Sequence, residues 1–281
     1  MTTGAAEARP ARKGIFYGWY IVAASIVTNC LVTAAYFQGF QAFVLPILLT
    51  FGWTNTQLSG ATSARQVESG VVGPVAGFLA DQVGPRKLII AGAVVVGLGL
   101  MGLSQTRNLA MYYFFFLLIS VGTAGATHGV TWPIIISRWF KKRRGRAIGI
   151  AMTGPVLGGV MALPNTYFIG LWGWRPVMFA YGVIVVVVVT LMGLVARDRP
   201  EPYGYLPDGE VPDGAGAPRA AQHRAKGQGV TASAPAGEAG FTVRQVLRSR
   251  AFWLLSLFLG ALGMTSSAFG LWQMPYFVDR G

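Results

Sequence analysis

Seven long stretches with almost no charged residues run through this 281-residue sequence. The hydrocarbon core of a bilayer is about 30 Å thick, and a helix that rises 1.5 Å per residue needs about 20 apolar residues to cross it. The seven stretches are about that long, so we predict seven transmembrane helices. Their predicted bounds are Trp19–Leu45, Gln57–Ala80, Leu88–Gln105, Leu109–Ser137, Ala147–Gly170, Pro176–Ala196 and Phe252–Phe277.

The composition argues against several other classes of protein. Only 12% of the residues are charged, whereas a soluble domain has about 25%. The net charge of +13 could suit nucleic acid, but long uncharged runs separate the basic clusters, so we predict no nucleic-acid partner. One cysteine, Cys30, and two histidines provide neither a disulfide nor a structural zinc site. We therefore predict no metal site and no cofactor.

The basic residues predict the orientation, because cytoplasmic loops of membrane proteins hold the excess of lysine and arginine. With a cytoplasmic N-terminus, 19 of the 23 basic residues lie on the cytoplasmic side. Arg107, Arg175 and Arg280 then lie outside, and Arg65 lies within a span. We predict a multi-pass protein of the plasma or inner membrane with its N-terminus in the cytoplasm.

The predicted spans divide the chain into four regions. Residues 1–16 form a cytoplasmic tail, residues 17–196 a bundle of six spans, and residues 251–281 the seventh span. Residues 197–250 are a basic cytoplasmic linker in which Ala, Gly, Pro and charged or small polar residues dominate. Such a segment cannot bury enough apolar surface to fold, so we predict that the linker is largely disordered.

The loop after the second span has the sequence Gly77-Phe78-Leu79-Ala80-Asp81-Gln82-Val83-Gly84-Pro85-Arg86-Lys87. It resembles the signature of the major facilitator superfamily between spans two and three, although Gln82 and Pro85 replace residues that are often basic. Glycine permits a sharp turn, aspartate can accept hydrogen bonds from a helix N-terminus, and basic residues stay in the cytoplasm. The resemblance implies a conformational-switch loop; the alternative is a loop that only fixes topology. The residues that match the signature are Gly77, Asp81, Gly84, Arg86 and Lys87.

A second pattern, an aromatic pair followed by a basic run and spaced small residues, occupies positions 139–154. It resembles the corresponding stretch of monocarboxylate transporters and related oxalate/formate carriers, as do Phe16-Tyr17-Gly18-Trp19 before span one and Phe51-Gly52-Trp53 after it. The basic run also suits anchoring to anionic lipid, and both interpretations can hold together.

A glycine-rich segment with one proline begins span five. It resembles a motif that is often found in the superfamily's exchangers. Proline removes one backbone donor and glycines let another helix approach closely, so we predict a pliant, tightly packed segment; packing alone is an equally good explanation. The residues of this helix-packing motif are Gly154, Pro155, Gly158 and Gly159.

Two ionisable residues, Arg65 and Glu68, lie within the second span. Arg65 is about 12 Å from Gln57, at a depth where a charge costs about 2.5–3.5 kcal/mol on insertion scales. Three residues apart, the two side chains share a helix face and can pair, which leaves donors of Arg65 for a carboxylate. We predict that both bind substrate and that Glu68 can take up a proton; the alternative is a structural pair that braces the span.

Other polar residues are candidates to bind substrate at membrane depth. In span one these are Asn29, Tyr36 and Gln38, and Gln38 stands where many carboxylate-carrying relatives in the resembled group have a lysine. His128 in span four lies about 15 Å from Arg138, close to mid-membrane. This histidine is either a proton relay or a core residue bonded to a neighbour.

The resemblance implies an all-α membrane protein of the superfamily's fold, with a six-helix N-terminal bundle and the first helix of a second half. In that fold the substrate binds near the midplane and the two halves alternate access. We therefore expect a secondary active transporter, present here as a fragment. Its expected partners are the lipid bilayer, a small organic anion such as a monocarboxylate or dicarboxylate, a proton in a coupled or exchange mechanism, and the missing C-terminal helices.

Proteins of different function fit the residues less well. A seven-helix receptor or sensor has the same number of spans, but the predicted seventh span contains no lysine for a retinal Schiff base. An enzyme needs a nucleophile with its base or clustered carboxylates, and neither is evident, so we predict that the protein is not an enzyme. The sequence is also compatible with a channel, although it has no filter-like segment, and with an exporter of unrelated hydrophobic compounds.

Overall fold

The computed structural model describes residues 16–127, 129, 131–198, 248–258, 260, 261 and 263. The predictions for the N-terminal tail and for most of the linker and seventh span concern residues outside this set. The chain divides into two compact units, residues 1–215 and 216–281. In the second unit, residues 250–258 are helical. The described part of the chain contains no β-strand, and the predicted all-α membrane fold is confirmed.

Local sequence signals account for several helix ends in the first unit. The Thr54 hydroxyl accepts a bond from the Gln57 backbone and the Gln57 side chain accepts one from the Thr54 backbone, so a capping box opens α3. Asn108 caps α5 in the same general way, by accepting a bond from the Met111 N–H. The described helices are α1 Tyr17–Tyr36, α2 Gln41–Phe51, α3 Asn55–Val83, α4 Pro85–Ser104, α5 Leu109–Ala126, α6 Thr131–Trp139, α7 Arg144–Ala151, α8 Thr153–Val160, α9 Ala162–Trp172, α10 Trp174–Ile184 and α11 Thr190–Val195, with a π-helical turn at Val185–Val189.

Five helical runs in the described chain are long and apolar enough to cross a membrane, and they overlap predicted spans one and three to six. Predicted span two, Gln57–Ala80, lies within α3. Helix α3 has 29 residues, about 44 Å, but it is not among the five described runs because charged and small polar residues lower its hydropathy. It packs against α4 and α5. The five runs are Tyr17–Phe51, Pro85–Ser104, Leu109–Trp139, Arg144–Trp172 and Trp174–Val195.

Span five is assembled from three short helices, α7, α8 and α9. The joints are Met152 and Met161, and each lies three residues before a proline, Pro155 and Pro164. A proline has no N–H to donate to the fourth residue before it. Each proline therefore interrupts the backbone hydrogen bonds of the preceding turn, which divides the span.

Helix α8 lies very close to α1. A Cβ atom added at Gly154 would be 2.7 Å from the Ile26 carbonyl oxygen, and one added at Gly158 would be 2.5 Å from the Cys30 carbonyl oxygen. Both glycines are buried. Any larger side chain at either position would push α8 away from α1, so these glycines set the spacing between spans one and five.

Candidate functional site

Span one is interrupted near its middle, between α1 and α2. After Tyr36 the chain turns sharply, and the N–H groups of Phe37 and Gly39 both donate to the Thr33 carbonyl, at 3.2 and 3.1 Å. A Cβ atom at Gly39 would overlap the Ala34 carbonyl group. The turn therefore requires glycine at this position, because a side chain would collide with the backbone of α1.

A buried asparagine from span five reaches this interruption. The Asn165 side chain is fully buried, and its Nδ2 donates to the Ala34 carbonyl at 3.0 Å and to the Gly39 carbonyl at 3.3 Å. Its Oδ1 accepts a hydrogen bond from the Tyr181 hydroxyl of α10. One side chain thus connects spans one, five and six at the point where span one is broken.

Arg65 of α3 faces the end of α1. Its guanidinium carbon lies 5.1 Å from the centre of the Phe37 ring and 5.6 Å from that of Tyr36, within the range of cation–π attraction. Tyr36 is buried, and its hydroxyl donates to the Phe116 carbonyl of α5 at 2.9 Å. Spans one, two and four therefore meet around a half-buried cation.

The surroundings of Glu68 differ from the prediction of a pair with Arg65. Both carboxylate oxygens are buried, and neither has a hydrogen-bond partner in the described part of the chain. Ser120 of α5 lies beside both Glu68 and Tyr36. Arg65 and Glu68 interact electrostatically, as their spacing predicts, but they do not form a hydrogen-bonded ion pair.

The other predicted binding residues have separate positions. Gln38 is exposed, and its Oε1 lies 2.5 Å from where a Cβ atom of residue 159 would be, so Gly159 makes room for this side chain. Asn29 is fully buried within α1, where its Nδ2 donates to the Ser25 carbonyl at 2.8 Å. His128 lies outside the described residues. The structure thus brings Tyr36, Arg65 and Glu68 together, with Gln38 at the adjacent break.

The loop between α3 and α4 has an unexpected partner. Gly84 adopts a left-handed φ of 92°, and Pro85 begins α4. The N–H of Arg86, in the first turn of α4, donates to the Asp198 carboxylate at 2.9 Å. The aspartate that binds this helix N-terminus is therefore Asp198, which follows span six, and not Asp81 of the predicted switch loop.

The chain after α11 is held by aromatic residues of the predicted signatures. The Tyr17 hydroxyl donates to the Val195 carbonyl, and the Trp139 indole donates to the Arg197 carbonyl, each at 2.8 Å. The Arg197 guanidinium lies 4.3 Å from the centre of the Tyr17 ring. Together with Asp198, these contacts fasten the end of span six to spans one, three and four.

Sequence reasoning missed Asn165, Ser120 and Asp198. Asn165 is an uncharged polar residue in an apolar run, and its isolation at membrane depth was the signal that could have identified it. Ser120 and Asp198 gave no comparable signal. Their contacts join helices that are far apart in the sequence, and periodicity within one helix does not report such contacts.

The arrangement of the helices identifies the general class of protein. Long apolar helices packed around an arginine and a carboxylate at mid-helix make this a multi-pass membrane protein. The chain belongs to the Major Facilitator Superfamily, whose sequence model matches residues 16–281. Members of this family are transporters of small molecules in the lipid bilayer, so the prediction that the protein is not an enzyme is confirmed.

Several known transporters are similar to part of the chain. Monocarboxylate transporter 1 of Rattus norvegicus is 27% identical over 161 residues, which are 57% of this chain and 32% of that protein. The fujikurins efflux protein of Gibberella fujikuroi is 35% identical over 145 residues, 50% of this chain and 30% of that protein. The "Probable hexose phosphate transport protein" of Chlamydia muridarum is 28% identical over 170 residues, with shares of 58% and 36%. The predicted resemblance to monocarboxylate transporters is confirmed, and the chain spans about a third of the length of these three relatives.

Proposed function

We propose that the chain is the N-terminal part of a secondary transporter that moves a small organic anion by alternating access, with Arg65 as its anion-binding residue. The observation that carries this proposal is a half-buried guanidinium at mid-helix, 5.1 Å from the centre of the Phe37 ring and 5.6 Å from that of Tyr36. The two rings attract the positive charge of the guanidinium. Its N–H groups lie in the plane of the group, where a carboxylate accepts two parallel bonds.

The chemistry of the surroundings supports a small acid as the substrate. The rings of Tyr36 and Phe37 provide apolar contact beside one positive charge, which suits a carboxylate on a short carbon chain. The similarity to monocarboxylate transporter 1 agrees with this class. The similarity to the fujikurins efflux protein supports a second candidate, an exporter.

We further propose that Glu68 couples transport to protons. Its carboxylate oxygens are buried between helices, beside the Ser120 hydroxyl of α5. It lies one turn from Arg65 on α3, so a bound anion and a proton would occupy neighbouring positions on one helix. The alternative is anion exchange without a proton.

The remaining parts of the proposal concern the arrangement in the membrane. We propose that the N-terminus and residues 197–250 are cytoplasmic, because 19 of the 23 basic residues then lie on that side. The further helices of the complete transporter would complete the binding site across the midplane. The seventh span, within residues 251–281, would be the first of these helices.

Arg65→Lys in the complete transporter tests the proposed function, with uptake of labelled pyruvate as the probe. Lysine keeps the charge but loses the planar pair of donors, so we expect the KM for pyruvate to rise about tenfold or more. Cell-surface amounts are measured in parallel. An unchanged KM at normal surface amount would contradict the proposal.

Arg175→Lys is the matched control. The Arg175 guanidinium carbon also lies near aromatic rings, 5.1 Å from the centre of the Trp174 ring and 5.7 Å from that of Phe51. Arg175 is in the first turn of α10, however, and it donates a hydrogen bond to the Thr106 carbonyl. We expect its KM to stay within about threefold of the parent. Efflux of a hydrophobic dye without any pyruvate uptake by the parent would favour the exporter instead.

A further inference from the structure

We propose that Asn165 is a positioning residue for anion binding: it fixes the break in span one in the shape that holds Phe37 and Tyr36 against Arg65. The inference rests on the proposed function for its substrate. Asn165 belongs to α9 of span five. It acts through the backbone of span one and not through contact with the anion.

The break in span one leaves backbone carbonyl groups that require hydrogen-bond donors, and Asn165 donates to two of them. Where α1 ends, carbonyl groups of its last turn lose their regular helical donors, and within a membrane water does not replace them. The Thr33 carbonyl accepts bonds from two local N–H groups. The Ala34 and Gly39 carbonyls, on either side of the turn, both accept bonds from Asn165 Nδ2.

Tyr181 determines which way the amide of Asn165 points. An asparagine side chain has one donor end and one acceptor end. The Tyr181 hydroxyl donates to the acceptor end, Oδ1, so the donor end is directed at the two carbonyls of span one. Asn165 is fully buried, and its orientation is therefore fixed from two sides.

The turn leaves little freedom for another shape. The backbone at Gly39 approaches the Ala34 carbonyl too closely for any side chain. Tyr36, the last residue of α1, is held on its other side by the bond from its hydroxyl to the Phe116 carbonyl. The aromatic pair next to Arg65 is thus held by α5 through Tyr36 and by α9 through Asn165.

The test uses Asn165→Leu, which has similar volume but no amide, and Tyr181→Phe, which removes only the hydroxyl. In the complete transporter we expect Asn165→Leu to raise the KM for pyruvate about tenfold while the maximal rate per surface molecule changes less than about twofold. Tyr181→Phe should move the KM in the same direction by a smaller factor, because the bonds from Asn165 to span one are retained. The milder variant keeps the test valid if Asn165→Leu does not reach the surface.

Thr166→Val is the matched control on the same helix. Thr166 is exposed, and its hydroxyl donates only within α9, to the Ala162 carbonyl at 3.0 Å. The KM of Thr166→Val for pyruvate should equal that of the parent. If Asn165→Leu and Tyr181→Phe both leave the KM unchanged at normal surface amounts, or lower only the amount of protein, Asn165 is a packing residue and the proposal is wrong.

A second measurement does not depend on any substrate. With Cys30 replaced by serine, a cysteine is introduced by Gln38→Cys, and its alkylation rate reports the shape of the break. We expect Asn165→Leu to change this rate by about threefold or more, whereas the alkylation of Thr166→Cys stays the same. An unchanged rate at position 38 would overturn the proposal, while a parental KM in Arg65→Lys would overturn only the proposed function.

Discussion

Arg65 and Glu68 are one turn apart on α3 but have different surroundings. The guanidinium has aromatic rings beside it, which attract a cation. The carboxylate oxygens are buried, and Ser120 of α5 is the hydroxyl beside them. A partly buried carboxylate is costly to keep ionised, and Ser120 and Arg65 are the groups that interact with this one.

We predict that Glu68→Gln removes most of the pH dependence of anion uptake. Glutamine keeps the shape of the side chain and removes the titratable group. Initial rates of pyruvate uptake are measured between about pH 5.5 and 8.0, the range around neutrality in which a coupled proton would be exchanged. The KM at the optimal pH should change less than about threefold, since Arg65 is retained.

Glu68→Asp is the control for this prediction. It keeps a carboxyl group on the same face of α3, so its pH profile should keep the parental form with a lower rate. A parental pH profile in Glu68→Gln would show that the proton, if one is coupled, is carried elsewhere.

At the scale of single residues, the sequence indicated candidate residues but not the groups that surround them. The cost of a charge at membrane depth identified Arg65 and Glu68 without any structure. The direction of the Arg65 side chain was not predictable, because it depends on the break between α1 and α2. That break in turn depends on Asn165, more than 120 residues further along the chain.

Among the elements, the junction of α3, α4 and the end of span six is the clearest case of long-range assembly. Asp198 accepts a bond from the first turn of α4, and an added Cβ atom at Gly84 would lie 3.2 Å from its Oδ2. A negative charge at a helix N-terminus is stabilising. The loop sequence predicted a tight turn at Gly84 correctly, but it assigned the helix-capping role to the nearer aspartate.

We predict that Asp198→Ala lowers stability more than Asp81→Ala does. Loss of the carboxylate at the N-terminus of α4 should cost about 1 kcal/mol, the usual effect of removing a cap. The measurement is the midpoint of thermal unfolding of the purified protein in detergent, where we expect a lower midpoint for Asp198→Ala.

Asp81 provides the comparison because it is exposed at the end of α3. Asp81→Ala should leave the unfolding midpoint near the parental value, even if it slows transport through a role in switching between conformations. Equal midpoints for Asp198→Ala and the parent would show that the bond to Arg86 contributes little.

For the whole molecule, hydropathy and charge determine most of what can be predicted. Apolar runs identified an all-α membrane protein because a bilayer imposes a minimum helix length. The same argument was least accurate for α3, which packs against other helices and has polar residues that an isolated span would not tolerate. The sequence did not predict where the helices of spans one and five break, because the breaks depend on glycine and proline contacts inside otherwise continuous apolar runs.

We predict that position 216 is cytoplasmic and position 108 external in the complete transporter. The partition of the basic residues gives this expectation. Single cysteines are introduced by Gly216→Cys and Asn108→Cys after Cys30→Ser, and intact cells are labelled with an impermeant thiol reagent. Labelling at 108 but not at 216 is expected; labelling of residue 216 from outside would reverse the orientation.

The low hydropathy of α3 has a consequence for how the protein is made. Helix α3 contains Arg65, Glu68 and many hydroxyl and amide side chains. Its transfer from the translocation channel into lipid, without protein neighbours, therefore releases little free energy. The transfer is more favourable once spans three and four are present, because α3 then packs against protein surface instead of hydrocarbon. Integration of α3 is therefore tied to synthesis of the chain that follows it, and its polar residues are placed in the bilayer by the neighbouring helices.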